Sequence, residues 1–454
     1  MRYALATAVG RLVRLAARLR KAGGGSAIPG FVVNRIAPGY LKHALESFPQ
    51  GLVIVSGSSG KSTTTKMLVA MLRAHGVAVF TNPSTANIRQ GLTSSLLDAA
   101  DWRGRVPGEI AVLEMDEGHG ALIMRDIDAR VVCLTNVMVD QIDRFHDSEM
   151  VTGMLRRLAA RATEAVVINA DDASLARLAT DVTVAIDRYG ASAAVFAASP
   201  RGLGYEQTVT TRMTTTEGIV VASTQGTVAE LLDDGTLRSI TLPAEGAHYA
   251  IDAAAAYATA RRLLGNRFEP TTSTEALSAM PPVFGRGERV FVRGQEVDLV
   301  LVQNPASFQL NVDSVAGARD ILCAMGSDVR DPSYLWPVDL SGLGRVSIVS
   351  GSKSAEAALM LAYSGVVVDR VEPDLAHALE EFLAPATPGE VVAEQVVADT
   401  TAAGDVAVTT VGHTIVSTAA AVCPAAATGA VKTIIFTADA MRRTRAHLGL
   451  TEAE

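Results

Sequence analysis

The sequence predicts an α/β protein in which a large, mostly parallel sheet flanked by helices precedes a smaller Rossmann-like α/β domain. Three observations predict it. From residue 51 to about 188, short continuous apolar runs alternate with helical stretches, the pattern of strands covered on both faces. A second series of such alternations follows residue 290. Between the two lies "PPVFGRGERV", residues 281–290, a proline- and glycine-rich junction. The expected organisation is a helical segment at 1–50, a central domain at 51–285 and a C-terminal domain at 286–454.

The first segment contains "RLVRLAARLRKAGGG", an arginine-rich amphipathic pattern. It suits a helix docked on the core with a solvated basic face; a transit peptide and a membrane-surface helix are the alternatives. In the central domain the expected strands are "GLVIV", "VAVF", "EIAVLEM", "ARVVCLTN" and "EAVVIN". Residues 191–241 turn threonine-rich with period-two stretches, which reads as an antiparallel β insertion or meander. "AIDAAAAYATARRLLG" reads as a helix capped by Gly265. The second domain offers "VDLVLVQ", "ARDILCAMG", "RVSIVSGS", "GVVVDRV", "GDVAVTTVG" and "KTIIFTA".

Composition narrows the function. The 454 residues carry a formal charge of −8, which disfavours general nucleic-acid binding. Cys133, Cys323 and Cys423 are too scattered for a disulfide framework, and a reducing cytoplasm suits them. The apolar runs fall short of a membrane span.

The chemistry starts at "VSGSSGKSTTTKML". Gly57, Ser58, Ser59, Gly60, Lys61, Ser62 and Thr63 follow an apolar strand and enter a helix. Glycines there let backbone N–H groups face a phosphate, Lys61 reaches its terminal oxygens, and the Ser62 hydroxyl suits Mg²⁺. Val55 stands where the full phosphate-loop pattern has its first glycine; the competing reading is a plain turn with Ser58 or Ser59 as helix cap. Downstream, the strand in "EIAVLEMDEGH" ends in Glu114, Asp116 and Glu117. A carboxylate at a strand's carboxyl end suits a hard cation. Glu114 is the first choice of metal ligand and Asp116 the second, against an acidic helix entry favoured by the dipole.

In order, "GSSGKSTTTKML", "TNPSTANIRQGL", "LEMDEGH", "LTNVMVDQIDRF" and "VINADD" resemble the central domain of the Mur ligase family. "FGRGERV", "VQNPASF", "DVRDPSYLWPVDL", "VSGSKSAEAALMLAYSGV" and "TIIFTADAMRR" narrow the resemblance to its MurT branch, the ligase subunits of lipid II isoglutaminyl synthase. The resemblance implies ATP and Mg²⁺ as cofactors and amidation of the α-carboxylate of the stem-peptide glutamate of lipid II, through an acyl phosphate. It implies ammonia from a GatD-like glutaminase partner; a cytoplasmic location, with peripheral contact at the inner face of the membrane, is what the basic N-terminus itself suggests. It makes Arg286 or Arg330 a clamp on the transferred phosphoryl group, Asn304 a nucleotide or substrate contact, and Asp328 or Asp331 a proton acceptor or partner contact.

The chain also departs from that pattern. Residues 191–241 hold no cysteine or histidine, so the zinc ribbon common in MurT proteins is lost and no zinc is expected. "QNPAS" lacks the usual lysine, and Val329, Tyr334 and Pro337 replace a family glycine, tryptophan and aspartate. No lysine lies between Lys66 and Lys353, which leaves the rest of the central domain without a candidate for the carbamylated lysine of many Mur ligases. Two further readings stay open: a diverged ligase acting on another carboxylate, and a non-catalytic nucleotide-binding partner.

Overall fold

The computed structural model describes residues 2–20, 27–83, 86, 88–101, 104–138, 147–199, 202–205, 208–209, 218–281, 286–302, 305–315, 318, 320–329, 335–336, 338–384 and 431–450. Among them, nine strands build the first sheet: β1 (Leu52–Ser56), β2 (Val79–Thr81), β3 (Ile110–Glu114), β4 (Ala129–Leu134), β5 (Ala162–Asn169), β6 (Ala185–Ala191), β7 (Ile219–Gln225), β8 (Val228–Asp233) and β9 (Thr236–Thr241). Their order is β2-β3-β1-β4-β5-β6-β7-β8-β9. Pairing is parallel up to β7, and β8 and β9 close the edge as an antiparallel meander. The second sheet contains β10 (Arg286–Val292), β11 (Gln295–Leu301), β12 (Asp320–Ala324), β13 (Arg345–Ser350), β14 (Val367–Glu372) and β15 (Lys432–Phe436), ordered β10-β11-β15-β12-β13-β14. It is parallel apart from β10, which pairs antiparallel with β11.

Every residue of β1 is buried because helices cover both faces. Side chains alternate along a strand. Val53 and Val55 therefore join the core under the helices Lys61–Ala74 and Ala247–Leu264, while Leu52 and Ile54 join the core on the other face. That second core also takes in Ala6, Val33, Tyr40 and Leu41 from the helices Arg2–Arg20, Ile28–Ile36 and Tyr40–Leu45. The N-terminal segment is thus docked on the central sheet. Gly30 permits the contact, since a Cβ there would lie 1.9 Å from the Gln90 carbonyl oxygen. In the second sheet Ile321 and Cys323 face one core, Leu322 and Ala324 the other.

The expected strands form in both sheets wherever they fall on described residues; β10, which rises from the stretch read as a junction, is not among them, and β6 and the start of the alanine-rich helix also differ. β6 escapes the apolar-run pattern because its sequence "AIDRYGA" carries Asp187 and Arg188; Asp187 is matched by Arg262, whose Nε and Nη2 donate to its two oxygens over 2.5 and 2.6 Å. The threonine-rich stretch, where it is described, forms the expected antiparallel meander over β7 to β9, and it continues the same sheet through the β6–β7 pairing. The alanine-rich helix begins at Ala247, three residues before the expected start, and ends as expected at Gly265, whose φ of 53° only glycine adopts freely. "GDVAVTTVG", residues 404–412, lies outside the described residues.

Candidate active site

β1 sits between β3 and β4, where the strand order reverses. Ligands of open α/β sheets bind beyond the carboxyl ends of strands at such a point. The loop 57–60 occupies that position and leads into the helix Lys61–Ala74. Its helix cap is neither Ser58 nor Ser59 but Gly60, at φ 79° and with no side-chain cap hydrogen bond. The first-turn amides of a fourteen-residue helix are thus aimed past the loop without a capping side chain, an arrangement that favours an anion.

The residues after β4 hold the loop in shape. Ser58 N donates to the Asn136 carbonyl (3.0 Å) and Ser59 N to Asn136 Oδ1 (2.9 Å). In return Thr135 Oγ1 and Asn136 Nδ2 donate to the Ser59 carbonyl at 2.6 and 3.2 Å. Gly57 (φ 137°) leaves no room for a side chain here, since a Cβ would lie 2.2 Å from Thr135 Oγ1. Lys61 folds back over the loop: its Nζ donates to the carbonyls of Gly57 and Ser58 and lies 3.5 Å from Glu117 Oε1. Burial pushes the Glu117 carboxyl above its usual range, and the Lys61 charge partly opposes that rise.

Ser62 Oγ donates to Glu114 Oε1 over 2.9 Å, both groups being buried. Glu114 is held from behind by Asn82, whose side chain makes two 3.0 Å hydrogen bonds to the Glu114 backbone. Asp116 is placed differently. It is the cap of the helix Glu117–Ile123, accepting from the amides of Gly118 (3.1 Å) and His119 (3.0 Å) and lying 3.1 Å from His119 Nδ1. Among the described residues, no cluster of three or more His, Cys, Asp or Glu is arranged to hold a metal ion. The oxygen pair of Ser62 and Glu114 still matches the donors a hard cation takes while keeping several waters.

Beside the loop lies a narrow cleft with about 60 Å³ open to water-sized molecules. Ser59, Gly60, Thr63 and Asn136 line one wall, His248, Tyr249 and Asp252 another, and Leu301, Ser307 and Asn311 of the second domain complete it. Asp252 is buried against the loop: a Cβ on Gly60 would lie 2.2 Å from its Oδ1. Sequence reasoning missed Asn136, His248, Tyr249, Asp252 and the Lys61–Glu117 contact. Asp252 had a signal, being the lone charge among the alanines of "AIDAAAAYATA".

Asp328 follows β12 in the second domain and accepts from Thr437 Oγ1 at 2.9 Å. Arg286 opens β10, and nothing of its side chain is described. Asn304, Arg330 and Asp331 lie outside the described residues, as does "VDQIDR" at 139–144. The structure therefore brings together the loop, Ser62, Glu114 and Glu117; Asp328 has no contact with them among the distances described.

Comparison with known proteins agrees with this geometry. Residues 55–260 match the Mur ligase middle domain. The MurT subunit of lipid II isoglutaminyl synthase (glutamine-hydrolyzing) from Streptococcus pneumoniae is 25% identical over 402 residues, covering 78% of this chain and 85% of that protein. For the corresponding Staphylococcus aureus subunit the match is 27% over 169 residues; it covers 37% of this chain and 38% of that relative's length. Among solved structures, MurF ligase from Thermotoga maritima, in complex with ADP, superposes with a TM-score of 0.60 at 17% identity, over 93% of this chain and 83% of that one. The chain is thus built on the fold of the Mur ligases, and its residues 55–260 match that family's middle domain.

Proposed function

We propose that the chain is an ATP-dependent carbon–nitrogen ligase, acting in the cytoplasm, that amidates the α-carboxylate of the stem-peptide glutamate of lipid II to isoglutamine. Its ammonia comes from a GatD-like glutaminase subunit. The observation that carries the reading is the convergence of Lys61, the uncapped helix start, Ser62 and Glu114 at the carboxyl ends of β1 and β3. The names of the MurT relatives support the acceptor and the glutamine-hydrolysing partner.

In this mechanism the first-turn amides and Lys61 hold the terminal phosphates of ATP. Lys61 gives up its bonds to the Gly57 and Ser58 carbonyls to do so. Ser62 and Glu114 would hold Mg²⁺, and the bound ion would neutralise phosphate charge. The base of the nucleotide enters the cleft between Asn136, Tyr249 and Asp252. The acceptor carboxylate attacks the γ-phosphorus and ADP leaves; ammonia then attacks the acyl carbon and phosphate leaves. Arg286 or Arg330 offsets charge on the moving phosphoryl group. Asn304 contacts nucleotide or substrate, and Asp328 or Asp331 takes the proton shed by the attacking nitrogen or contacts the partner.

The test is amide formation on a lipid II analogue with ATP, Mg²⁺ and ammonium chloride, followed by mass spectrometry. Amide product that requires all four supports the reading; ATP turnover without any amide product contradicts it. The altered "QNPAS" and "DVRD" stretches favour a second reading, the same chemistry on another carboxylate. Amidation of that carboxylate in preference to the lipid II analogue would establish it.

A further inference from the structure

The N-terminal helices carry a surface that the ligase reading leaves unused. The helix Arg2–Arg20 turns Ala6, Thr7 and Gly10 inward, and a Cβ on Gly10 would lie 2.8 Å from both Val33 and Leu97. Its opposite arc is Leu5, Ala8, Leu12, Leu15 and Ala16, all exposed, with Leu5 at 68% and Leu12 at 67%. The next helix, Ile28–Ile36, repeats the pattern with Ile28, Phe31 and Ile36 exposed, Phe31 at 57%. An ordinary surface helix turns its apolar stripe to the core and its polar residues to water. Here Ala6, Thr7, Gly10, Gly30 and Val33 are buried, with Tyr3 packed against the same core, while larger apolar side chains on the opposite arcs face outward. Contiguous exposed apolar surface marks an interaction site.

Charge identifies the occupant. The first 45 residues contain eight arginines and lysines and no acidic residue. The rest of the chain carries all 48 acidic residues against 32 basic ones. Arg11 and Arg35 are exposed beside the two apolar arcs, whereas Arg14 is turned inward onto Asp98. Leucine-rich arcs bordered by arginine and free of carboxylates describe a helix that lies in a membrane interface. A protein interface is richer in aromatic residues, and it fixes register with charges of both signs.

We propose that this face seats the protein on an anionic membrane surface. The side chains of Leu5, Leu12, Leu15, Ile28 and Phe31 enter the headgroup–acyl boundary, and Arg11 and Arg35 face lipid phosphates. The contact is peripheral: among the described residues no helix is long and apolar enough to cross a membrane. The proposal does not depend on the ligase reading, because it uses none of the cleft residues.

Vesicle flotation of the full chain tests it. Wild-type protein should float with equimolar phosphatidylglycerol–phosphatidylcholine vesicles, bind phosphatidylcholine alone at least tenfold more weakly, and detach as salt is raised. Leu5→Ser/Leu12→Ser/Leu15→Ser should weaken anionic-vesicle binding at least tenfold without changing thermal unfolding, since these positions are exposed. Ile28→Ser/Phe31→Ser, on the other helix, should act in the same direction. Wild-type protein that ignores anionic vesicles would overturn the proposal. So would variants that bind vesicles normally, including any that lose a co-expressed glutaminase subunit instead.

Discussion

Ser62 and Glu114, 52 residues apart in sequence, meet through a 2.9 Å hydrogen bond from Ser62 Oγ to Glu114 Oε1. One comes from the first turn of the helix after the loop, the other from the carboxyl end of the neighbouring strand. Parallel pairing fixes their meeting, because Val55 of β1 stands in register with Glu114 of β3.

Glu114→Gln keeps the shape of this contact and removes the charge that a hard cation prefers. Turnover should fall about 100-fold or more, the scale for losing one preorganised electrostatic group, with a raised Mg²⁺ requirement and a smaller change in nucleotide affinity. Asp116→Asn is the matched control. Asparagine caps helices as well as aspartate, so this variant should keep both its stability and its Mg²⁺ dependence. A Mg²⁺ titration of the two variants separates the roles; the larger effect at Asp116 would move the metal there.

Lys61→Ala should abolish ligation and also alter stability in a pH-dependent way. Lys61 is the cation beside the buried Glu117, whose carboxyl is already held above its usual range by burial. Without Lys61 that range climbs further. A raised carboxyl favours the folded state at low pH, and the benefit is lost as pH rises through the folded value. The deficit of Lys61→Ala relative to wild type should therefore grow from acidic toward neutral pH and shrink in Lys61→Ala/Glu117→Gln. Thermal melts across that pH series give the answer; a pH-independent deficit would sever the Lys61–Glu117 link.

Gly60→Ala should lose nucleotide binding. Alanine is strained at φ 79°, and its Cβ would meet Asp252 at 2.2 Å. Asp252→Ala relieves the collision but not the backbone strain, so the double variant should recover only part of the ADP affinity. Calorimetric titration with ADP measures both; full affinity in Gly60→Ala would mean that the loop moves freely from Asp252.

The thiols of Cys133 and Cys323 are pushed by burial from an ordinary value of 9.0 to about 12. Buried neutral thiols are poor nucleophiles. Neither should react with iodoacetamide in native protein at pH 8, and the isolated chain should release no ammonia from glutamine. Because the folded state holds these protons more tightly, their contribution to stability is complete below about pH 9 and is lost as pH climbs toward 12. Rapid native alkylation at either cysteine would contradict the buried placement.

Legibility in the sequence followed the range of the interactions. The loop was readable because its signal is local: an apolar strand, glycines, Lys61 and Ser62 within one short segment. Glu114 was readable because a strand's carboxyl end is a position as well as a residue. Asp116, the second choice two residues later, lies where the chain turns, and its carboxylate serves as a helix cap. Asn136 and Asp252 act on the loop from 76 or more positions away, through side chains whose types alone announce nothing. β6 was hidden by Asp187, which is admissible in a strand because Arg262 of a distant helix neutralises it.

The most direct test of the account follows oxygen. An acceptor carboxylate labelled with ¹⁸O is incubated with the chain, ATP, Mg²⁺ and ammonium, and the released phosphate is analysed by mass spectrometry. Activation as an acyl phosphate transfers one carboxylate oxygen to each phosphate formed, so the account expects singly labelled phosphate in step with amide product. Amide accompanied by unlabelled phosphate would contradict it, because the carboxylate would then never have been phosphorylated.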